Sequence, residues 1–98
     1  MIKVRFSDTD ALCLRISGHA GYAESGKDII CAGVSSIAYA LLGYLAKIDK
    51  TLEFKIEEGY MCIISSSCDQ RVEAAFDMAF LGLRQLEHEY PEHISVKK

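Results

Sequence analysis

His19 and Cys31 are the two residues with which this chain could do covalent chemistry together. A thiolate is a strong nucleophile, and an imidazole within reach takes the thiol proton and later returns it to a leaving group. Cys31 falls where a helix is expected to begin. Asp28 suits an N-cap, and Ile30, Val34, Ile37, Leu41, Tyr44 and Ile48 then recur at steps of four, three, four, three and four. The first N–H groups of a helix have no partner inside it, and the dipole is positive there, so both effects favour a thiolate. The N–H groups around Cys31 and Ala32 are expected to receive an oxyanion as well. His19 directly follows a predicted strand, and the twelve-residue step from His19 to Cys31 lets a loop fold back and bring the two together. Nucleophile, base and oxyanion donors are the parts of acyl transfer. Each part also has a plain reading: a cysteine at a helix start packs the core, and a histidine after a strand bonds its own loop.

The elements that must position this pair read from periodicity. Ile2, Val4 and Phe6 alternate with Lys3 and Arg5, and Leu12, Leu14 and Ile16 alternate with Cys13, Arg15 and Ser17. These predict two strands joined by the turn Ser7-Asp8-Thr9-Asp10 as a hairpin. Residues 19–28 carry Gly21 and Gly26 and no sustained period, which predicts a loop, and residues 20–28 are expected to be mobile alone and to order over a bound peptide. After the helix, Leu52, Phe54 and Ile56 alternate in a third strand, and Glu58-Gly59 turns it. Tyr60-Met61-Cys62-Ile63-Ile64 is apolar on both faces, which predicts a central strand covered on both sides. Val72, Phe76, Phe80 with Ala79, Leu83 and Leu86 form a second helical stripe, Pro91 ends it, and Ile94 and Val96 suit a short closing strand. The order is β-β-α-β-β-α-β. The expected fold class is α+β: one mostly antiparallel or mixed sheet of about five strands with two helices, one on each face.

The 98 residues make one domain over 1–98, and 50% hydrophobic content allows a modest core. A net charge of −3 argues against a general nucleic-acid binder, though not against a local basic patch. The start, Met1-Ile2-Lys3-Val4-Arg5-Phe6, lacks the apolar stretch of a signal peptide. Lys or Arg is expected to interrupt every apolar run, so no membrane span is expected and the chain reads as cytoplasmic. The four cysteines, at 13, 31, 62 and 68, show no metal-knuckle spacing and should stay thiols in that compartment. No metal or other cofactor is expected. Cys13, Cys62 and Cys68 read as core or loop thiols. His88 and His93, together with Glu87, Glu89 and Glu92, read as surface residues.

Gly18-His19-Ala20, followed by Gly26-Lys27-Asp28-Ile29-Ile30-Cys31-Ala32-Gly33-Val34-Ser35, resembles the signature of the ribosomal-processing cysteine protease (Prp) family. Motif order, spacing and length agree over the whole chain, with Gly33 where alanine is frequent. The resemblance implies a cysteine endopeptidase with a His19–Cys31 dyad and no obligatory third acid. It implies a homodimer that needs no cofactor. It also implies a substrate, the precursor of protein twenty-seven of the large ribosomal subunit, which loses an N-terminal extension ending in a hydrophobic, aromatic motif during ribosome maturation. Asp28 reads as the helix cap or as an orienter of His19. Ser35, one turn after Cys31, either faces the site or bonds backbone. The loop Ala20 to Lys27, with Tyr22, is the expected substrate-binding segment. The alternative is a non-enzymatic, ribosome-associated binding module with a buried, structural Cys31; a redox-sensing Cys31 would lack an obvious resolving cysteine.

Overall fold

The structure, a computed structural model, describes residues 1–21, 23 and 28–98. Its elements follow the expected order: β1 Ile2–Ser7, β2 Leu12–Ser17, α1 Ile29–Ile48, β3 Glu53–Glu57, β4 Tyr60–Ser65, α2 Gln70–Glu89 and β5 Ile94–Lys97. They make a five-stranded sheet in the order β3-β4-β2-β1-β5. The sheet is mixed, because β1 pairs antiparallel with β2 but parallel with β5. Val4 sits opposite Ile16 on one side and Val96 on the other, so the apolar residues of neighbouring strands share a face.

Both helices lie on that one face, which corrects the expectation of one helix per face. Ile2, Val4, Phe6, Leu14, Ile16, Met61, Ile63, Ile94 and Val96 form a single buried cluster with residues of α1 and α2. The reason lies in the other face, which presents exposed Lys3, Arg5, Arg15 and Lys97. A helix laid there would have to strip water from these charges. β4 is therefore covered by helices on one side only. On the other side Cys62 and Cys13 are buried among the sheet's own side chains. Burial, and then the neighbouring Cys62, push the Cys13 thiol above its ordinary range.

β3 also differs from expectation. It is an edge strand, and Phe54 and Ile56 remain 58% and 41% exposed because neither helix reaches over them. Along α1 the buried face is Ile30, Val34, Ala38, Leu41 and Leu45, so Tyr44 points outward instead of into the core. Leu45 is fully buried, and truncating such a residue to alanine costs about 2–5 kcal/mol. In α2, Val72, Phe76, Ala79 and Leu83 are buried, with Phe80 and Leu86 half-buried beside them. A methyl on Gly33 would come within 3.3 Å of Leu86 Cδ1, so glycine here lets the helices sit close.

One charge expectation fails. Residues 29–46 contain no Lys or Arg, and α1 is long and apolar enough to cross a membrane by length and composition, with a mean hydropathy of 1.9. That value comes chiefly from its Ile, Leu and Val residues, of which Ile30, Val34, Leu41 and Leu45 are buried in the core of this fold.

Candidate active site

The site forms where the end of β2, the start of α1 and the β3–β4 turn meet. Gly18 ends β2 with φ +90, and a Cβ there would lie 2.4 Å from the Met1 carbonyl oxygen, so only glycine fits. Gly18 N–H donates to the Gly59 carbonyl at 2.9 Å, which ties the root of His19 to the β3–β4 turn. Gly59, at φ +70, packs under the imidazole: a Cβ on it would stand 3.1 Å from His19 Nε2. The turn that the sequence marks only as Glu58-Gly59 is thus the shelf on which the candidate base rests.

Asp28 is the N-cap of α1, as expected. Its Oδ1 accepts from Ile30 N–H and from Cys31 N–H, each at 3.0 Å, and Oδ2 accepts from Ala23 N–H at 3.4 Å. Ala32 N–H donates to the Asp28 carbonyl at 3.1 Å. This corrects the expected oxyanion donors. The N–H groups of Cys31 and Ala32 are already engaged by Asp28, and a carboxylate next to the sulfur works against a second negative charge. Cys31 Sγ instead takes a hydrogen bond from outside its helix: Ala20 N–H donates to it at 3.5 Å.

His19, Asp28, Cys31 and Ser35 line one cavity of about 460 Å³, with Glu58 at its rim. His19, Cys31 and Ser35 also line an adjoining cavity of about 160 Å³, walled by Ile16, Val34, Tyr39, Ile56 and Met61. All four candidate residues therefore meet. Cys31 is half-buried and His19 exposed, which does not fit a buried, structural cysteine. Among the described residues no hydrogen bond joins the His19 ring to Cys31 Sγ; the ring rests on Gly59. Tyr22 and residues 24–27 of the expected substrate loop lie outside the described residues. Among the described residues no cluster of three His, Cys, Asp or Glu side chains suits a metal ion.

Two residues read as surface are not. His93 Nδ1 lies 2.9 Å from the Ala20 carbonyl oxygen, and the His93 carbonyl accepts from Ile2 N–H at 2.9 Å. Glu87 Oε2 accepts from Val96 N–H at 2.7 Å, which fastens β5 to α2. Neither was visible from spacing, because each partner is remote in sequence or belongs to another element. Tyr39 and Ile56 were likewise missed as site residues; their exposure beside Cys31 is a product of the tertiary fold.

Comparisons with known proteins point to one family and one fold. The family model described as cysteine protease Prp matches residues 1–95. A ribosomal processing cysteine protease Prp from Mycoplasma genitalium is 30% identical over 100% of this chain and 96% of its own length. One from Bacillus subtilis is 24% identical over 94% of this chain and 89% of its own. The fold is similar to that of a ribosomal processing protease Prp from S. aureus solved with a covalently linked product peptide. The TM-score is 0.86, the identity 24%, and both chains are covered completely.

Proposed function

The chain belongs to the cysteine protease Prp family, and from that premise we propose that Cys31 is the nucleophile and His19 the general base. The observation that carries this is their meeting in one cavity, with Cys31 in the first turn of α1 and His19 at the end of β2. The His19 ring turns from its shelf on Gly59 toward Sγ when a peptide fills the site; catalytic hydrogen bonds are often long or absent in a free enzyme.

The thiol proton passes to the His19 imidazole, and Sγ adds to the scissile carbonyl carbon while the π pair moves onto oxygen. Collapse of the tetrahedral intermediate breaks the C–N bond, and His19 gives its proton to the departing amine. Water then adds to the thioester, losing a proton to His19. The carboxylic acid leaves, and the sulfur recovers its proton. The S. aureus relative's covalently linked product peptide supports such an enzyme-bound stage.

Family members act in ribosomal processing, and the proposed substrate is the precursor of protein twenty-seven of the large ribosomal subunit. The 160 Å³ cavity beside Cys31 supports this. Ile16, Val34, Tyr39, Ile56 and Met61 make an apolar wall suited to the aromatic residues of such an extension. The enzyme works in the cytoplasm as a homodimer. The exposed stripe of Tyr44, Met78 and Leu81, at 42%, 75% and 67%, supports pairing along the helices.

The test is a synthetic peptide spanning the cleavage site. Alanine in place of the aromatic residues before the cut lowers kcat/KM at least about tenfold, whereas alanine after the cut has a smaller effect. Equal losses on the two sides would remove the proposed pocket.

A further inference from the structure

The N–H groups of Ile30, Cys31 and Ala32 are spent on Asp28, and the sulfur takes its hydrogen bond from the loop instead. That donor is Ala20 N–H, 3.5 Å from Sγ. Ala20 is itself buried at 3% exposure, between the His19 peptide and the loop. Its carbonyl, on the far side of the residue from the N–H, is held by His93 Nδ1 at 2.9 Å, from a position 73 residues later in the chain. A carbonyl oxygen only accepts, so Nδ1 carries the proton in this contact. His93 is fixed in turn, since its N–H donates to the Tyr90 carbonyl and its carbonyl accepts from Ile2 N–H, each at 2.9 Å.

From this chain of bonds we infer that His93 is a positioning residue: it aims the Ala20 N–H at Cys31 Sγ and so sets the reactivity of that thiol. The inference rests on Cys31 as nucleophile. A hydrogen bond from a backbone N–H stabilises the anionic sulfur more than the neutral thiol. Loss of the His93 anchor releases the Ala20–Gly21 peptide, so residue 20 shifts and its N–H, in the preceding peptide unit, drifts from the sulfur. Among the described contacts, His93 reaches the sulfur through Ala20. The side chain needs one N–H at the reach of Nδ1, and the Nδ2 of asparagine sits at the same distance from the backbone.

The experiment measures the rate of Cys31 alkylation by iodoacetamide across pH, by peptide mass mapping, in wild type, His93→Ala, His93→Phe and His93→Asn. Alkylation needs no turnover, so it reports on the thiol even if the proposed protease mechanism were to fail. His93→Ala and His93→Phe slow alkylation about fivefold at neutral pH, and their rate profiles move to higher pH. In peptide cleavage the same two variants lose kcat by a similar factor while KM stays within about twofold. His93→Asn restores both readouts to near the wild-type values. His93→Phe keeps the ring volume without the donor, so it separates aim from packing if His93→Ala melts early. An unchanged alkylation profile in His93→Phe would overturn the inference, and so would a His93→Asn variant as slow as His93→Phe.

Discussion

At the C-terminal end of α1, Asp49 is buried and its oxygens accept from Ser65 Oγ, from Thr51 Oγ1 at 2.6 Å and from Thr51 N–H at 2.8 Å. At the N-terminal end, Asp28 also gathers N–H groups, but beside an accessible thiol and the exposed His19. One carboxylate fastens the helix to β4 and to the turn that leads into β3. The other caps the helix start that carries Cys31, where both line an open cavity. The two ends of one helix divide stability from reactivity. A core-facing acid is satisfied from several sides, whereas at the site end, among the described residues, no hydrogen bond joins the His19 ring to Cys31 Sγ.

Changes at the two ends should therefore separate. The largest effect belongs to His19→Ala, which removes the proposed base and leaving-group acid and should lower kcat about 10²–10⁴-fold with little change in thermal stability. Residual activity rises with pH as hydroxide generates thiolate. A variant that unfolds instead would make His19 structural and blur the contrast, and a thermal melt beside the assay decides. Next comes Asp49→Ala, which strips the acceptor from Ser65 and Thr51 and costs about 2–3 kcal/mol in denaturant unfolding, while kcat/KM below the transition stays near wild type. A large loss of activity in folded protein would couple the ends.

Asp28→Ala sharpens the comparison further. It removes a cap, which costs about 1 kcal/mol, yet it also frees Cys31 N–H and removes a negative charge from beside the sulfur. Cleavage should fall less than about tenfold; a loss matching that of His19→Ala would make Asp28 an essential orienter of His19. The smallest effect is in acid. Burial alone would raise the Asp49 carboxyl, but hydrogen bonds from Ser65 and Thr51 outweigh it and hold it below its ordinary value. Hydrogen bonding to Arg71 lowers Asp69, the N-cap of α2, to about 2. Both groups contribute stability that is fully present above the unfolded carboxylate range near 4 and is lost as pH falls toward 2. Melts between pH 5 and 2 should show that decline, and it should be shallower in Asp49→Asn.

Much of the site was legible because its parts are local. Asp28 and Cys31 are three residues apart on one helix start, and His19 closes a strand whose alternation is unbroken from Leu12 to Ile16. The strands and helices were legible from period two and period 3.6 for the same reason. What stayed hidden was non-local. Alternation shows that β1 and β2 have an apolar face, but not that α1 and α2 share it. The pattern of β3 looks half-buried, yet its place at the edge of the sheet leaves Phe54 and Ile56 uncovered. The tie from His93 to Ala20 spans most of the chain, and no spacing rule reaches it. The cap at Asp28 was legible, but its two bonds to Ile30 and Cys31 N–H mean that the helix start is not a free anion site.

The most direct test of the central claim compares peptide cleavage by wild type, Cys31→Ala and Cys68→Ala, each shown folded by circular dichroism. Cys68 is an exposed thiol that lines neither site cavity, so it controls for the general loss of a cysteine. The account predicts wild-type rates for Cys68→Ala and no cleavage above background for Cys31→Ala, with peptide binding retained. Cleavage by folded Cys31→Ala at the wild-type rate would contradict it.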